Sequence, residues 1–196
     1  FERLAERCLA FQDKRPDPDQ PTANADLLFR IQDLLDVSTT EAAAVDPLSE
    51  RLSFRQLCIE LGVAVISAPL SEMFIPQSVN LDLVGGVSFQ KGCYPGQEVV
   101  ARVRYRGKPK QRMIRAVADQ TRHPDPGSTV LCTSGASGRN GVVVSAGATR
   151  TPGQIQFLAS VPVTAIMKSN SEELLWEETP LSIRPLPYRI PVDDLT

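Results

Sequence analysis

Residues 91–107 read KGCYPGQEVVARVRYRG and place a cysteine directly before a predicted helix. Pro95 can occupy the first turn of that helix, because its missing N–H has no intrahelical partner there. No helix breaker follows until Gly107. The free N–H groups of a helix N-terminus and the neighbouring Lys91 both favour a thiolate at Cys93.

Cys93 is therefore a candidate nucleophile, redox residue or metal ligand. The alternative is a small buried apolar residue, which is the usual environment of a free cysteine. The cysteines at 8, 58, 93 and 132 form no C-x-x-C pair. With no neighbouring histidine to complete a site, we expect no metal centre and reduced thiols in a reducing compartment. The sole histidine, His123, lies far along the chain, which disfavours a Cys–His catalytic pair.

The bulk composition is that of a soluble globular protein. The 196 residues include 21 Lys and Arg against 23 Asp and Glu, a net charge of −2, so the chain lacks the global basic field of a dedicated nucleic-acid binder. No apolar stretch approaches the roughly 18 residues of a membrane span, and we expect an intracellular protein. Because the chain begins at Phe1 rather than at a methionine, we also expect a fragment or a processed product.

Helical patterns come first along the chain. Apolar residues from Leu27 to Leu35 recur at helical spacing after Asn24, a plausible N-cap. A second helix is predicted over Ser53–Glu60 and ends at Gly62, and Val63–Ile66 suits a buried strand. The segment from residue 69 to residue 92 is predicted to be mostly loop with short ordered pieces.

After Pro109 the pattern changes to short β-type runs separated by turn residues. These runs span Met113–Ala118, Thr129–Thr133, Gly141–Ser145, Gln154–Leu158, Val161–Met167 and Leu181–Ile183. Turn residues at nearly regular spacing indicate a small barrel or sandwich. The boundary between the two parts falls near residues 107–111.

A cluster of cations crosses that boundary. It comprises Arg102, Arg104, Arg106, Lys108, Lys110 and Arg112, with Arg115 beyond, and no acidic residue lies between Val99 and Ala118. Such a cluster can contact the phosphates of RNA, a polyglutamyl folate or an acidic partner. It can equally be a solvated basic surface. Tyr105 is the only aromatic residue interleaved with it, so RNA is possible but not favoured.

The motif K-G-C-Y-x-G-Q-E followed by V-A-R resembles the signature of the YgfZ family. In this chain the motif residues are Lys91, Gly92, Cys93, Tyr94, Gly96, Gln97 and Glu98. The resemblance extends upstream through FIPQSVNLDLVGGVSF, Phe74 to Phe89, and downstream to IRPLPY, Ile183 to Tyr188. For Glu98, at the helix start, a structural role in complementing the helix dipole is preferred.

The resemblance implies an α+β fold. Residues 1–107 would form the later part of a folate-binding domain similar to the T-protein of the glycine cleavage system. Residues 108–190 would form a six-stranded antiparallel β-barrel, and residues 191–196 a tail.

The resemblance also implies a function. Family members bind tetrahydrofolate and support the assembly or repair of iron–sulfur enzymes, including one that modifies tRNA. Folate and iron–sulfur enzymes or assembly proteins would be the partners, Cys93 would carry the activity, and no membrane would be involved. The location would be cytoplasmic in a bacterium and the mitochondrial matrix in a eukaryote. The alternatives are a folate-dependent aminomethyltransferase, which the motif cysteine argues against, and an RNA-binding module that uses residues 102–115.

Three residues are candidates for folate contacts on the same resemblance. Phe54 lies where bacterial members carry a tryptophan implicated in folate binding, and its ring can stack on a pterin. Gln77 and Asn80 lie where T-protein relatives place a folate-contacting carboxylate or amide, and an amide can pair with a pterin edge. A core position for Phe54, and ordinary loop hydrogen bonds for Gln77 and Asn80, explain the same residues.

Overall fold

The computed structural model describes residues 54–89, 92–133, 139–167 and 174–191. The helix predicted after Asn24 lies outside these residues. The described residues form three α-helices, two short 3₁₀ helices and seven β-strands. The helices are α1 (Phe54–Leu61), α2 (Gln97–Arg106) and α3 (Val163–Met167), and the 3₁₀ helices span Ala68–Leu70 and Pro76–Val79.

Helix α1 confirms the predicted amphipathic pattern. Its Leu57, Ile59 and Leu61 side chains are buried. The helix ends at Gly62, which has a φ of +66°. A Cβ at Gly62 would come within 2.5 Å of the Leu186 side chain, so this close approach also requires glycine.

The strand predicted over Val63–Ile66 is wrong. These residues lie in irregular backbone between α1 and the first 3₁₀ helix. Val65 and Ile66 are 46% and 45% exposed, so the apolar run does not enter the core. A short apolar run indicates a strand only if a neighbouring strand can pair with it, and local sequence carries no information on that partner.

The strands form a sheet in which every pair is antiparallel and the spatial order is β6-β5-β2-β3-β4-β1-β7. The strand bounds are β1 Gln111–Ala118, β2 Thr129–Cys132, β3 Gly141–Ala148, β4 Ile155–Pro162, β5 Leu174–Trp176, β6 Thr179–Pro180 and β7 Ser182–Arg184. The two edge strands, β6 and β7, are separated in sequence only by Leu181. The edges of the sheet therefore meet, and the sheet is nearly closed into a barrel.

The predicted six strands differ from the seven in identifiable places. The predicted run Gln154–Leu158, from Ile155 onward, and the first two residues of the predicted run Val161–Met167 belong to the single strand β4. The rest of the second run, Val163–Met167, is helix α3 instead of strand. Pro162 ends the strand because proline has no N–H for the ladder. The short strands β5 and β6 were not predicted.

The core has two layers on either side of the central strands. Inside the barrel, Ile114, Val130, Phe157 and Trp176 belong to one buried cluster, with the Phe157 and Trp176 rings 5.7 Å apart. On the outer face, Ile59 of α1 belongs to a second cluster that also includes Leu70, Val79, Met113, Val144 and Leu158. Strand β4 is buried along its whole length because both of its faces are covered. Helix α1 and the loop after it thus pack on the outside of the barrel.

Buried polar groups of one turn join this outer layer to the barrel. We call residues 77–82 the polar turn. Asn80 is completely buried, with a left-handed φ of 58°. Its side-chain amide donates to the Met113 carbonyl oxygen at 2.7 Å and accepts from the Met113 N–H at 3.1 Å. The amide also donates to the Tyr188 hydroxyl at 3.3 Å, and that hydroxyl donates to the Gly62 carbonyl oxygen at 2.7 Å.

The other residues of the polar turn contact different elements. Arg112 of β1 forms a two-pronged ion pair with Asp82, at 2.6 and 3.0 Å, and donates to the Gln77 carbonyl oxygen at 3.0 Å. The Ser160 hydroxyl of β4 donates to the Ser78 carbonyl oxygen at 2.9 Å. The Gln77 side-chain amide donates to the Val100 carbonyl oxygen of α2 at 2.8 Å. The polar turn therefore connects β1, β4 and α2.

We predict that Asn80→Gly lowers the free energy of unfolding by about 2–4 kcal/mol, because it leaves the buried N–H and carbonyl groups of Met113 unpaired. Glycine keeps the left-handed backbone accessible, so the loss reports on the side chain alone. Urea denaturation followed by circular dichroism measures it. The matched control is Glu72→Gly at an exposed residue that also has a left-handed φ, 63°, with an expected change within about 0.5 kcal/mol. Equal unfolding midpoints for the two variants would contradict the role of Asn80.

Candidate functional site

Cys93 lies on an exposed loop that ends in a tight turn. Tyr94 to Gln97 matches a type II β-turn, with Pro95 and Gly96 at its two central positions. Gly96 has φ 81° and ψ −1°, and the Gln97 N–H donates to the Tyr94 carbonyl oxygen at 3.2 Å. Only glycine adopts this conformation readily. The Pro-Gly pair of the motif is therefore explained by local backbone geometry.

This turn corrects one detail of the predicted helix. Pro95 lies in the turn before the N-cap residue, Gly96, and not within the first helical turn. Helix α2 otherwise runs as predicted to Arg106 and ends at Gly107. Cys93 is four positions before the first helical residue, Gln97.

The Gln97 side chain folds back over the loop. Its amide oxygen accepts from the Tyr94 N–H at 3.0 Å, and its amide nitrogen donates to the Cys93 sulfur at 3.9 Å. The first bond has the three-residue offset of a capping box, in which glutamine or glutamate bonds an earlier N–H. Gln97 is thus a positioning residue for the thiol. The capping offset was the available signal for this role, although the expected residue was Glu98, which is exposed in the first turn of the helix.

The other motif residues surround the thiol in different environments. Tyr94 is half-buried. Gly92 is exposed, and a Cβ added there would meet no other atom within 4 Å. Lys91 lies outside the described residues. Cys93 thus lies between an exposed glycine, Gly92, and the hydrogen-bonded turn from Tyr94 to Gln97.

The three described thiols differ in accessibility. Cys93 is exposed, Cys58 is buried in α1, and Cys132 at the end of β2 is intermediate. Burial raises the pKa of the Cys132 thiol, and a hydrogen bond from the backbone of Gly141 offsets part of that rise. The described residues contain no group of three or more His, Cys, Asp or Glu side chains that could hold a metal ion. His123 is exposed in the connection between β1 and β2.

Two of the three residues predicted to contact folate, Gln77 and Asn80, are buried. Asn80 is fully buried, and both ends of its amide are hydrogen-bonded to Met113 within the protein. Gln77 is 2% exposed and its amide nitrogen bonds α2, but its amide oxygen has no hydrogen-bond partner among the described residues. Phe54 begins α1, and its side chain lies outside the description.

The predicted basic cluster divides into a surface part and a buried part. Arg102, Arg104 and Arg106 are exposed on α2, and Lys108 and Lys110 are exposed in the connection to β1. Arg112 does not belong with them: it is 4% exposed and paired with Asp82. Its partner lies thirty residues earlier in the chain, so the run of cations gave no sign of this pairing.

The structure adds an aromatic residue to this surface. The Arg104 guanidinium carbon lies 5.2 Å from the centre of the Phe89 ring, a cation–π contact. The Tyr105 ring meets Phe89 edge to face, with ring centres 6.3 Å apart. Phe89 precedes the cluster in sequence and was not predicted to join it.

The fold and the site define a class of protein: a nearly closed antiparallel barrel that carries an exposed cysteine on a turn before a cationic helix. No protein-family model matches the chain. The chain is 32% identical over 190 residues to the tRNA-modifying protein YgfZ of Enterobacter sp. (strain 638), an alignment that covers 89% of this chain and 58% of the relative. It is 34% identical over 164 residues to the tRNA-modifying protein YgfZ of Cronobacter sakazakii, covering 77% of this chain and 49% of the relative.

The chain belongs to the YgfZ family. It spans about half the length of the curated relatives that it matches. Among the described residues, no helix combines the length and the apolar character that crossing a membrane requires.

We predict that iodoacetamide labels Cys93 first among the three described thiols, because it is the exposed one. Cys132 should require a higher pH than an ordinary thiol, since its raised pKa delays formation of the reactive thiolate. Cys58 should react only after unfolding. Peptide mass mapping across a pH series measures all three rates, with a urea-unfolded sample as the control. Labelling of Cys58 in the folded protein as fast as that of Cys93 would contradict this order.

Proposed function

We propose that this chain acts in tRNA modification as a tetrahydrofolate-binding accessory protein that supports assembly or repair of iron–sulfur enzymes through Cys93. The residues before the barrel would then belong to a T-protein-like folate-binding domain. The printed names of its relatives support the connection with tRNA modification. The observation that carries the role of Cys93 is its exposed sulfur, held by Gln97 at the end of a hydrogen-bonded turn.

The chemistry of a thiol suits such a role. A thiolate is a soft ligand for iron and a strong nucleophile, and both reactions require access to the sulfur. Cys93 is exposed, unlike Cys58. Since the described residues offer no metal-binding group of three or more side chains, the remaining ligands for an iron centre would come from the client enzyme. Cys93 would therefore act at an interface with that enzyme and would handle its cluster as cargo.

The described residues offer a limited fit to folate. The unpaired amide oxygen of Gln77 is a buried acceptor, and it matches the N–H donors on the edge of a pterin. Gln77 would hold the pterin by that oxygen while its amide nitrogen stays bonded to α2. Bound folate would supply a one-carbon carrier or act as an effector. Since the Gln77 amide nitrogen also bonds α2, folate bound to Gln77 would be linked through this side chain to the helix that follows Cys93.

Cys93→Ser should abolish rescue in a bacterial strain that lacks its own YgfZ-family protein, because a hydroxyl is neither a soft ligand nor a nucleophile at neutral pH. The measurement is the content of tRNA nucleosides made by iron–sulfur enzymes, determined by mass spectrometry. Cys132→Ser is the matched control, since its thiol is half-buried and away from the motif, and it should rescue fully. Full rescue by Cys93→Ser would refute the assignment of the cysteine.

Tetrahydrofolate should bind the chain in a calorimetric titration, and Gln77→Met should weaken binding by roughly 2- to 10-fold through loss of one hydrogen bond. Methionine fills nearly the same volume, and circular dichroism verifies that the variant is folded. Gln154→Met, at the turn between β3 and β4, is the matched control. No binding to the wild-type chain would refute the folate part of the proposal. Equal affinities for wild type and Gln77→Met would refute the role of Gln77.

A further inference from the structure

The C-terminal half of α2 carries an exposed aromatic ring that contacts a second aromatic ring. Tyr105 is 70% exposed, so its ring contributes little to the core. Its edge-to-face contact with Phe89 and the Arg104 contact on the same ring hold this part of the helix against the loop before Cys93. Large exposed aromatic rings of this kind commonly take part in binding.

Cations flank that ring on the outward side of the helix. With about 3.6 residues per turn, Arg102, Tyr105 and Arg106 fall within roughly 100° of arc, on the side opposite the buried Val100. All three side chains are exposed. Lys108 and Lys110 continue the positive charge toward the barrel, and no acidic residue lies between Val99 and Ala118. We call Arg102, Tyr105, Arg106, Lys108 and Lys110 the Tyr105 surface.

We propose that the Tyr105 surface binds single-stranded RNA. An unpaired base would stack on the Tyr105 ring, and the adjacent phosphates would contact Arg102, Arg106 and Lys108. Stacking on aromatic rings beside a positively charged track is how proteins bind unpaired nucleotides. An acidic protein segment would complement the same charges but has no base to stack on the Tyr105 ring. Only the choice of RNA over DNA rests on the proposed function.

Arg104 and Phe89 play a supporting part. Because the Arg104 guanidinium is engaged with the Phe89 ring, Arg104 is a positioning residue and is not counted among the phosphate contacts. Tyr105 is 70% exposed in spite of its contact with Phe89, so most of its surface is accessible to a base. Because Cys93 lies just before α2, RNA on this surface would lie on the same helix that begins beside Cys93.

The test is fluorescence anisotropy with a labelled 12-nucleotide oligouridine RNA, a length of about one single-strand binding site. The 196-residue chain is titrated at several salt concentrations. Tyr105→Ala should weaken binding roughly 5- to 150-fold, as expected for loss of one stacked base. Tyr105→Phe should keep affinity within about twofold, since any aromatic ring provides the stacking face. Arg106→Ala should lower the slope of log affinity against log salt by about 0.7, the value for one single-strand phosphate contact.

Arg150→Ala is the matched control, because Arg150 is exposed in the turn between β3 and β4, outside the Tyr105 surface. It should leave affinity and salt slope unchanged. Unchanged affinity in Tyr105→Ala would overturn the proposal, as would equal losses in Arg150→Ala and Arg106→Ala. Displacement of the RNA by a polyglutamate peptide at equal charge concentration would also overturn it and indicate an acidic protein partner. Since none of these variants alters Cys93, the result is independent of the rescue experiment on the cysteine.

Discussion

The hydrogen bonds between Asn80 and Met113 fix the position of the polar turn on the barrel, and the placement of α2 depends on that turn. Both backbone groups of Met113 are paired with one buried side chain. A buried polar group without a partner costs about 1–3 kcal/mol, so alternative placements of the turn are strongly disfavoured. The apolar clusters supply the driving force for packing, but they are non-directional. The polar turn makes the arrangement specific.

The exposed turn at Cys93 is connected to the buried polar turn through hydrogen bonds on α2. Gln77 bonds the Val100 carbonyl oxygen one turn into α2, and Gln97 at the first helical position bonds both Tyr94 and the Cys93 sulfur. A continuous set of contacts therefore runs from strand β1 through the polar turn to the thiol. An exposed loop on a rigid scaffold is a common arrangement for reactive residues, because access and a fixed position are needed together.

Sequence patterns predicted the secondary-structure elements and the family better than the contacts between elements. The period of α1 and the glycine after α2 are local signals, and the structure places both helices within one or two residues of the predictions. Arg112 was assigned to a surface cluster because its partner Asp82 is close only in the fold. The sequence could not separate a ligand contact from a backbone contact for Gln77 and Asn80, because an amide suits a pterin edge as well as a peptide backbone. In the fold, both ends of the Asn80 amide bond Met113, whereas the Gln77 amide oxygen is buried without a hydrogen-bond partner among the described residues.

The two ends of α2 carry different chemistry on one short rigid element. Its N-terminal end holds the Cys93 turn, and its C-terminal half presents Tyr105 between cations. Ten helical residues span only about 15 Å, so a macromolecule in contact with the second end lies close to the first. The Arg104 guanidinium on the same helix contacts the ring of Phe89, which precedes the motif in sequence. Between these two ends, the buried bond from the Gln77 amide to the Val100 carbonyl oxygen attaches α2 to the polar turn, so the Cys93 turn and Tyr105 share the same support on the barrel.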